Sequence, residues 1–215
     1  MTGTGVLALW NDCAVGHEFE YERWYQTEHI DERLSVPGFN RCRRYEALDA
    51  ATRFFTWYEV QTPEVLTSKA YLDRLGDPTP LTATIMSGAI QNMSRTVCHR
   101  HVLSGHRFGS VIVTATLHEA DDAPAERVDD LREYSLNFTD EVSLARSELW
   151  ISAEGTAATL TREESLRGGD AKIEACLVLE YLRQGPAEAG AKKVTAMLPA
   201  AQVGVYRLLC EQVDA

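Results

Sequence analysis

The feature that most limits how this chain can fold is a recurrence: two halves of similar length run through the same order of hydrophobic patterns. In the first half, a strand-like run from Val6 to Trp10 precedes a helix-like run from Glu18 to Leu34. Strands follow at Phe39 to Leu48 and Arg53 to Val60, then a second helical stretch and a strand at Ser94 to Leu103. The second half gives a strand at Ser110 to Leu117, a helix at Ala125 to Phe138, strands at Ser143 to Ser152 and Ile173 to Leu182, a helix at Pro186 to Leu198 and a strand at Val203 to Cys210. Both halves read βαββαβ. The pattern divides the chain at 1–105 and 106–215, with an insertion in the second half near 154–170. Such a connection is longer than most and reads as a lid or a solvated excursion.

The individual elements have local causes. In Glu18 to Leu34, Phe19, Trp24, Ile30 and Leu34 recur with Tyr21 and Tyr25 at three- and four-residue steps, which makes one apolar face. Pro37 disfavours helical geometry at Val36, and Gly38 permits the turn into the next strand. The run RFFTWYEV, Arg53 to Val60, is rich in the aromatic and β-branched residues of a half-buried strand.

A βαββαβ unit forms an antiparallel sheet with both helices on one face, the ferredoxin-like arrangement of the α+β class. The other face must also be covered. Two such sheets turned toward each other within one chain enclose a barrel-like space, and alternate strand residues would line a pocket there.

Composition narrows the partners. With 45% hydrophobic and 25% charged residues the chain matches a soluble globular protein. A net charge of −11 argues against nucleic acid, whose phosphates need a clustered positive surface. The N-terminal run MTGTGVLALWND has no basic flank and no long apolar stretch, so neither a signal peptide nor a membrane span is expected. Five widely spaced cysteines without a CxxC pair suggest reduced thiols in a cytoplasmic protein, mostly buried as small hydrophobes. Exposed sheet edges leave a homodimer open. No P-loop, GxGxxG after a strand or GxSxG elbow occurs.

The segment YERWYQTEHIDERLSVPGFNRCRRYE, Tyr21 to Glu46, resembles the first helix and second strand of EthD-like members of the dimeric α+β barrel superfamily. In that group an aromatic first helix carries a histidine and is followed by a Pro-Gly turn and a basic, aromatic strand. The second half keeps the element order without the motif: the position corresponding to His29 falls near Tyr134, and no Pro-Gly turn precedes Ser143. The resemblance implies a small cyclic or aromatic metabolite held in the barrel. Relatives include cofactor-free monooxygenases, muconolactone-type isomerases, polyketide cyclases and dehydratases, and haem enzymes, so the reaction must be argued from the site.

His29 leads the candidates, as a proton shuttle titrating near neutrality. Arg43 and Arg44 are adjacent on a strand and must face opposite ways, so one of them points toward the barrel, where it would bind a carboxylate or steady an enolate. Trp24, Tyr25, Tyr45, Trp10 and Trp57 offer flat walls, and Asn11 stands at the end of the first strand. His99 and His101 share one strand face, but two histidines are too few for a metal site, and no histidine stands in a haem-ligand context. Glu59 reads as an edge or outward-facing acid. The leading expectation is a cofactor-independent isomerase, cyclase or dehydratase working by proton transfer through His29. Its rivals are a cofactor-free monooxygenase of a phenolic or quinone-type substrate and a non-catalytic small-ligand or stress-response protein.

Overall fold

A computed structural model describes residues 3–118, 124–138, 141–153 and 161–214. Eight antiparallel strands close into one barrel: β1 (Gly5–Cys13), β2 (Phe39–Asp49), β3 (Phe54–Val60), β4 (Ile90–Gly105), β5 (Val111–Leu117), β6 (Leu144–Ser152), β7 (Ala175–Tyr181) and β8 (Gln202–Val213). Around the barrel they run β1, β3, β2, β8, β5, β7, β6, β4 and back to β1. Each half therefore contributes four strands in the same internal order, and the pairs β2–β8 and β4–β6 join the halves. Because every strand has two neighbours, the exposed edges expected from sequence do not exist, and self-association by edge pairing is closed off.

The strands follow the sequence pattern to within a few residues at each end, because alternation sorts their side chains between two cores. On β1, Leu7 and Leu9 face outward under the helices while Val6, Ala8 and Trp10 face inward. On β3, Phe54 and Tyr58 face outward and Phe55 and Trp57 inward.

The first helical run is broken in a way no periodicity shows. It comprises α1 (Glu18–Trp24), a π-helical segment Tyr25–His29 and α2 (Ile30–Leu34). Widening of the helix at Tyr25–His29 lets Trp24, Tyr25, His29, Ile30 and Arg33 all be buried. Such single-turn π segments concentrate at functional positions. Helices α3 (Lys69–Gly76) and α4 (Pro80–Gly88) complete the cover of the first half, with Ser68 and Thr79 hydroxyls capping their N-termini. In the second half α5 (Pro124–Ser135) and α7 (Gln184–Met197) play the same part.

Of the insertion, residues 154–160 lie outside the described residues. The remainder forms α6 (Arg162–Arg167), capped by the Thr161 hydroxyl and ended by Gly168 at φ 85°. This helix does not project as a free excursion. It lies over the first half, against α3, α4 and β4. No helix among the described residues is long and apolar enough to cross a membrane.

The middle of the barrel interior is filled, so open space between the sheets is confined to one end of the barrel. Tyr45, Phe55, Trp57, Trp150 and Tyr206 form a central aromatic layer, with Phe55 and Trp57 at 6.1 Å and 5.6 Å from Trp150. One end is plugged by charge. Arg43 donates to Glu180 at 2.7 Å and to the Gly109 carbonyl at 2.8 Å, Arg100 makes a bidentate pair with Glu148 at 2.7 Å, and Arg100 also meets Glu59 at 3.0 Å. Phe108 lies under the guanidinium groups of Arg41, Arg43 and Arg146 at 4.4 to 4.7 Å. Glu59 is thus an inward, buried member of this network, contrary to its sequence reading as an outward acid. Its inward place follows from alternation with Trp57, and its carboxylate is satisfied by Arg100 and the Gly3 N–H at 2.8 Å.

Candidate functional site

On the helix side of the first-half sheet, α1, the π segment, α2, α4 and α6 enclose a cavity of about 20 Å³ around His29. That is room for roughly one water molecule. Leu7, Leu9, Ile90 and Met93 form its sheet wall, and Trp24, Tyr25, Tyr58 and Tyr71 add aromatic surfaces. The His29 ring packs on Trp24 at a 30° tilt with centroids 3.9 Å apart and meets Tyr25 edge-on at 5.3 Å. Trp24 is itself fixed: its indole N–H donates to the Thr82 hydroxyl at 2.9 Å, which donates to Glu28 at 2.8 Å.

Burial first, then the charges of Arg33, Arg167 and Arg44, hold the His29 imidazole well below its usual range, so it is neutral at neutral pH. Its Nδ1 is buried without a hydrogen-bond partner. Arg33 Nη1, also on the lining, is likewise buried and unpartnered, while the Tyr58 hydroxyl is turned toward the Cys42 thiol on the neighbouring strand. Buried polar atoms are nearly always satisfied, so two such atoms around one cavity mark a place where a ligand's polar groups would fit.

The cavity is cationic in an acidic protein. Arg33, Arg95 and Arg167 line it, against the single carboxylate of Glu163. Arg33 pairs with Glu163 at 2.5 and 2.7 Å; burial opposes its charge, but the neighbouring carboxylate more than offsets this and raises its pKa. Arg167 binds Asp170 through two nitrogens at 3.0 and 2.7 Å and reaches Met86 Sδ at 3.1 Å. Arg95 donates to the Tyr71 hydroxyl at 2.9 Å and has no carboxylate within ion-pair distance among the described residues.

Of the residues singled out from sequence, Trp24, Tyr25 and His29 meet here. Arg44 stands behind them: its guanidinium lies 4.1 Å from the Tyr25 ring and pairs with Glu22 at 2.8 Å. Asn11 is buried on the same side of the sheet, where its amide bonds the Tyr21 hydroxyl at 2.9 Å, so it fixes an aromatic wall instead of standing at a barrel mouth. Arg43, Tyr45 and Trp57 face the barrel interior across the sheet and cannot reach His29. The alternation argument for the two arginines thus separates them, but the barrel-facing Arg43 meets Glu180 where a substrate was expected. Trp10 is inside the barrel near its other end, stacked on Phe55 at 4.8 Å. His99 is exposed on the outer face of β4 and borders neither cavity. Among the described residues no group of three or more histidine, cysteine or acidic side chains is placed to hold a metal.

Arg33, Arg95, Arg167 and Glu163 were not singled out from sequence. Arg33 had a signal, since it follows His29 by four residues and so shares its helix face. Arg167 and Glu163 had none, because only tertiary folding carries α6 from the second half onto the first.

In the second half, the corresponding space between sheet and helices is closed by aliphatic packing of Val113, Leu131, Leu177, Leu179, Ala191 and Val194. A separate, larger cavity of about 170 Å³ opens at the uncharged end of the barrel. Size favours that cavity as a ligand site, but it lies across the sheet from His29 and the arginines, and the acid–base groups decide the assignment of the candidate active site.

No family model matches the chain, and a search of curated proteins returns no match. Solved structures do match over nearly the full length. An anthrone oxidase-like protein superposes with TM-score 0.64 at 10% identity, covering 98% of this chain and 93% of its own. A putative monooxygenase from Fusobacterium nucleatum subsp. nucleatum ATCC 25586 gives TM-score 0.55 at 9% identity, covering 100% and 97%. A putative chlorite dismutase gives TM-score 0.54 at 15% identity, covering 98% and 96%.

The last likeness corrects the expectation of a cofactor-free protein: chlorite dismutases are haem-dependent, so this architecture does not imply chemistry without a cofactor. As they stand, the cavities bordered by a described histidine, about 20 Å³ at His29 and about 170 Å³ at His118, are smaller than the roughly 300 Å³ at which cofactor sites begin and do not fit a haem. These likenesses establish the architecture: the chain has the fold of the dimeric α+β barrel, with both sheets in one polypeptide.

Proposed function

We propose that the protein acts on a small planar carbon acid or phenol of the anthrone type, held in the helix-side cavity, and that His29 removes its proton. The observation that carries this reading is the convergence of a neutral, buried imidazole with an unpartnered nitrogen and three guanidinium groups around one space. A neutral imidazole can accept a proton, and guanidinium groups favour the enolate or phenolate that results. Trp24 and Tyr25 supply stacking surfaces for a flat ring. The resemblance of Tyr21 to Glu46 to EthD-like proteins is in keeping with a site at this histidine.

The anion then has two fates, reprotonation elsewhere or reaction with dioxygen. The structures sharing the fold include an anthrone oxidase-like protein and putative monooxygenases, which favours the second. For an anthrone the balance is simple: the CH2 carbon becomes a carbonyl, one oxygen atom enters the product and the other leaves as water. Substrate of that size requires the cavity to widen, and α6 is the cover that must move, breaking the Arg33–Glu163 pair.

The test is anthrone oxidation followed by quinone absorbance and by an oxygen electrode, in the wild type and in His29→Gln. Turnover should be lost in the variant while anthrone still binds. Equal turnover in both would remove His29 from the chemistry, and no oxygen uptake by the wild type would overturn the oxidative fate.

A further inference from the structure

The cavity at the uncharged barrel end is built differently from the rest of the interior. Elsewhere the smaller inward residues, such as Val6, Ala8, Cys98, Ile112 and Val178, pack against Tyr45, Phe55, Trp57 and Trp150, and the space is filled. Here the inward residues become small and hydroxylated. Trp10 pairs across strands with Ser94, Thr114 with Gly204 and Thr116 with Gln202, and Ala51 and Ala171 close the rim. Side chains of that size beside Trp10 and Tyr206 leave about 170 Å³.

The polar groups around it are only partly used. Thr116 donates to the Gln202 carbonyl at 3.3 Å, and the Thr52 and Tyr206 hydroxyls bond each other at 3.2 Å. Ser94 is 91% buried, since its relative exposure is 9%, yet its hydroxyl has no partner. A buried hydroxyl left open beside an indole and a phenol ring is a hydrogen-bonding position without its counterpart. Among the described lining residues there is no Asp, Glu, Lys or Arg, and the titratable side chain that is present, His118, has one ring nitrogen engaged with the Lys172 carbonyl at 3.1 Å, so the lining favours an uncharged ligand. Size sets the rest: a protein cavity of roughly 150 Å³ takes one benzene ring.

We infer that the barrel mouth is a second binding site, for an uncharged single-ring molecule bearing hydroxyl groups, which would stack on Trp10 or Tyr206 and bond the Ser94 hydroxyl. It is separated by the sheet from the His29 cavity and differs from it in charge preference. A ligand here bridges β1 and β4 of the first half to β5 and β8 of the second, so occupancy would also tie the two sheets together.

Isothermal titration with resorcinol as the probe tests this. The wild type should bind one equivalent saturably, and its unfolding midpoint should rise in the presence of resorcinol. Ser94→Ala, which removes only the hydroxyl, should weaken binding by about tenfold, the scale of one hydrogen bond. Ser94→Leu should abolish it by filling the space, and His29→Gln should leave it unchanged. Benzoate, the charged analogue, should bind at least tenfold more weakly. The inference fails if the wild type shows no saturable binding, if Ser94→Ala binds as the wild type does, if His29→Gln removes the binding, or if benzoate binds equally well.

Discussion

Arg33 and Glu163 stand 130 residues apart in sequence, yet one guanidinium nitrogen lies 2.5 and 2.7 Å from the two carboxylate oxygens, with both side chains almost wholly buried. The pair fastens α6, which belongs to the second half, onto the helix that carries His29. Glu163→Gln would leave the Arg33 charge buried and uncompensated. Loss of one partner of a buried pair costs about 3 to 5 kcal/mol. Denaturant unfolding should show a destabilisation of that order, and the double variant Arg33→Met with Glu163→Leu should recover most of it.

The pH dependence of stability carries the signature of His29. Its folded-state pKa is depressed below the unfolded value of 6.5, so the unfolded chain takes up a proton that the folded chain refuses. This contribution is neutral above that pH, and stability falls as pH drops below it, by up to about 1.4 kcal/mol per unit. His29→Gln lacks the term. The stability difference between wild type and variant should therefore move against the wild type as pH falls from 7 to 5; a constant difference would show that His29 is not buried neutral.

The π segment sets the direction in which His29 points. Deleting exposed Gln26 would restore α-helical register and rotate either His29 or the residues before it by about 100°. Circular dichroism should report a folded protein, while anthrone turnover should fall by at least a hundredfold. Deletion with retained turnover would show that the widened turn has no part in placing the imidazole.

Gly190 sits inside α7, where alanine would ordinarily add about 1 kcal/mol of helix stability. Here a Cβ would come within 2.2 Å of the Tyr181 hydroxyl oxygen and 2.7 Å of the adjoining ring carbon. That hydroxyl donates to Glu141 at 2.8 Å, so the ring cannot swing aside freely. Overpacking of this kind costs about 1 to 3 kcal/mol, so Gly190→Ala should lower the unfolding midpoint despite the better helix former.

Strand content was legible because period-two alternation and β-branched, aromatic runs are local properties, as in Phe54 to Val60. The same alternation placed Arg43 and Arg44 on opposite faces. What occupies each face was not legible. Arg43 meets Glu180 across 137 residues and Glu59 meets Arg100, pairings that only closure of the barrel creates. For the same reason topology alone does not show how much of the space between the sheets stays open: Phe55, Trp57 and Trp150 fill its middle, and the cavity is left at one end. His29 was readable as a chemical group, but its neutrality depends on burial and on Arg167, which arrives from the far half.

Closure of the barrel also has a consequence for the order in which the chain is made. Arg41 on β2 pairs with Val213 on β8, so one side of β2 has no partner until the C-terminal strand emerges from the ribosome. Through that interval β2 is an open edge, the kind of surface that recruits foreign strands. The three arginines at positions 41, 43 and 44 give the waiting strand a charge that discourages such pairing. In the finished barrel two of them find their counter-ions on the late-arriving partner, where Glu211 meets both Arg41 and Arg43. The charge of β2 is thus balanced in part only when β8 closes the barrel beside it.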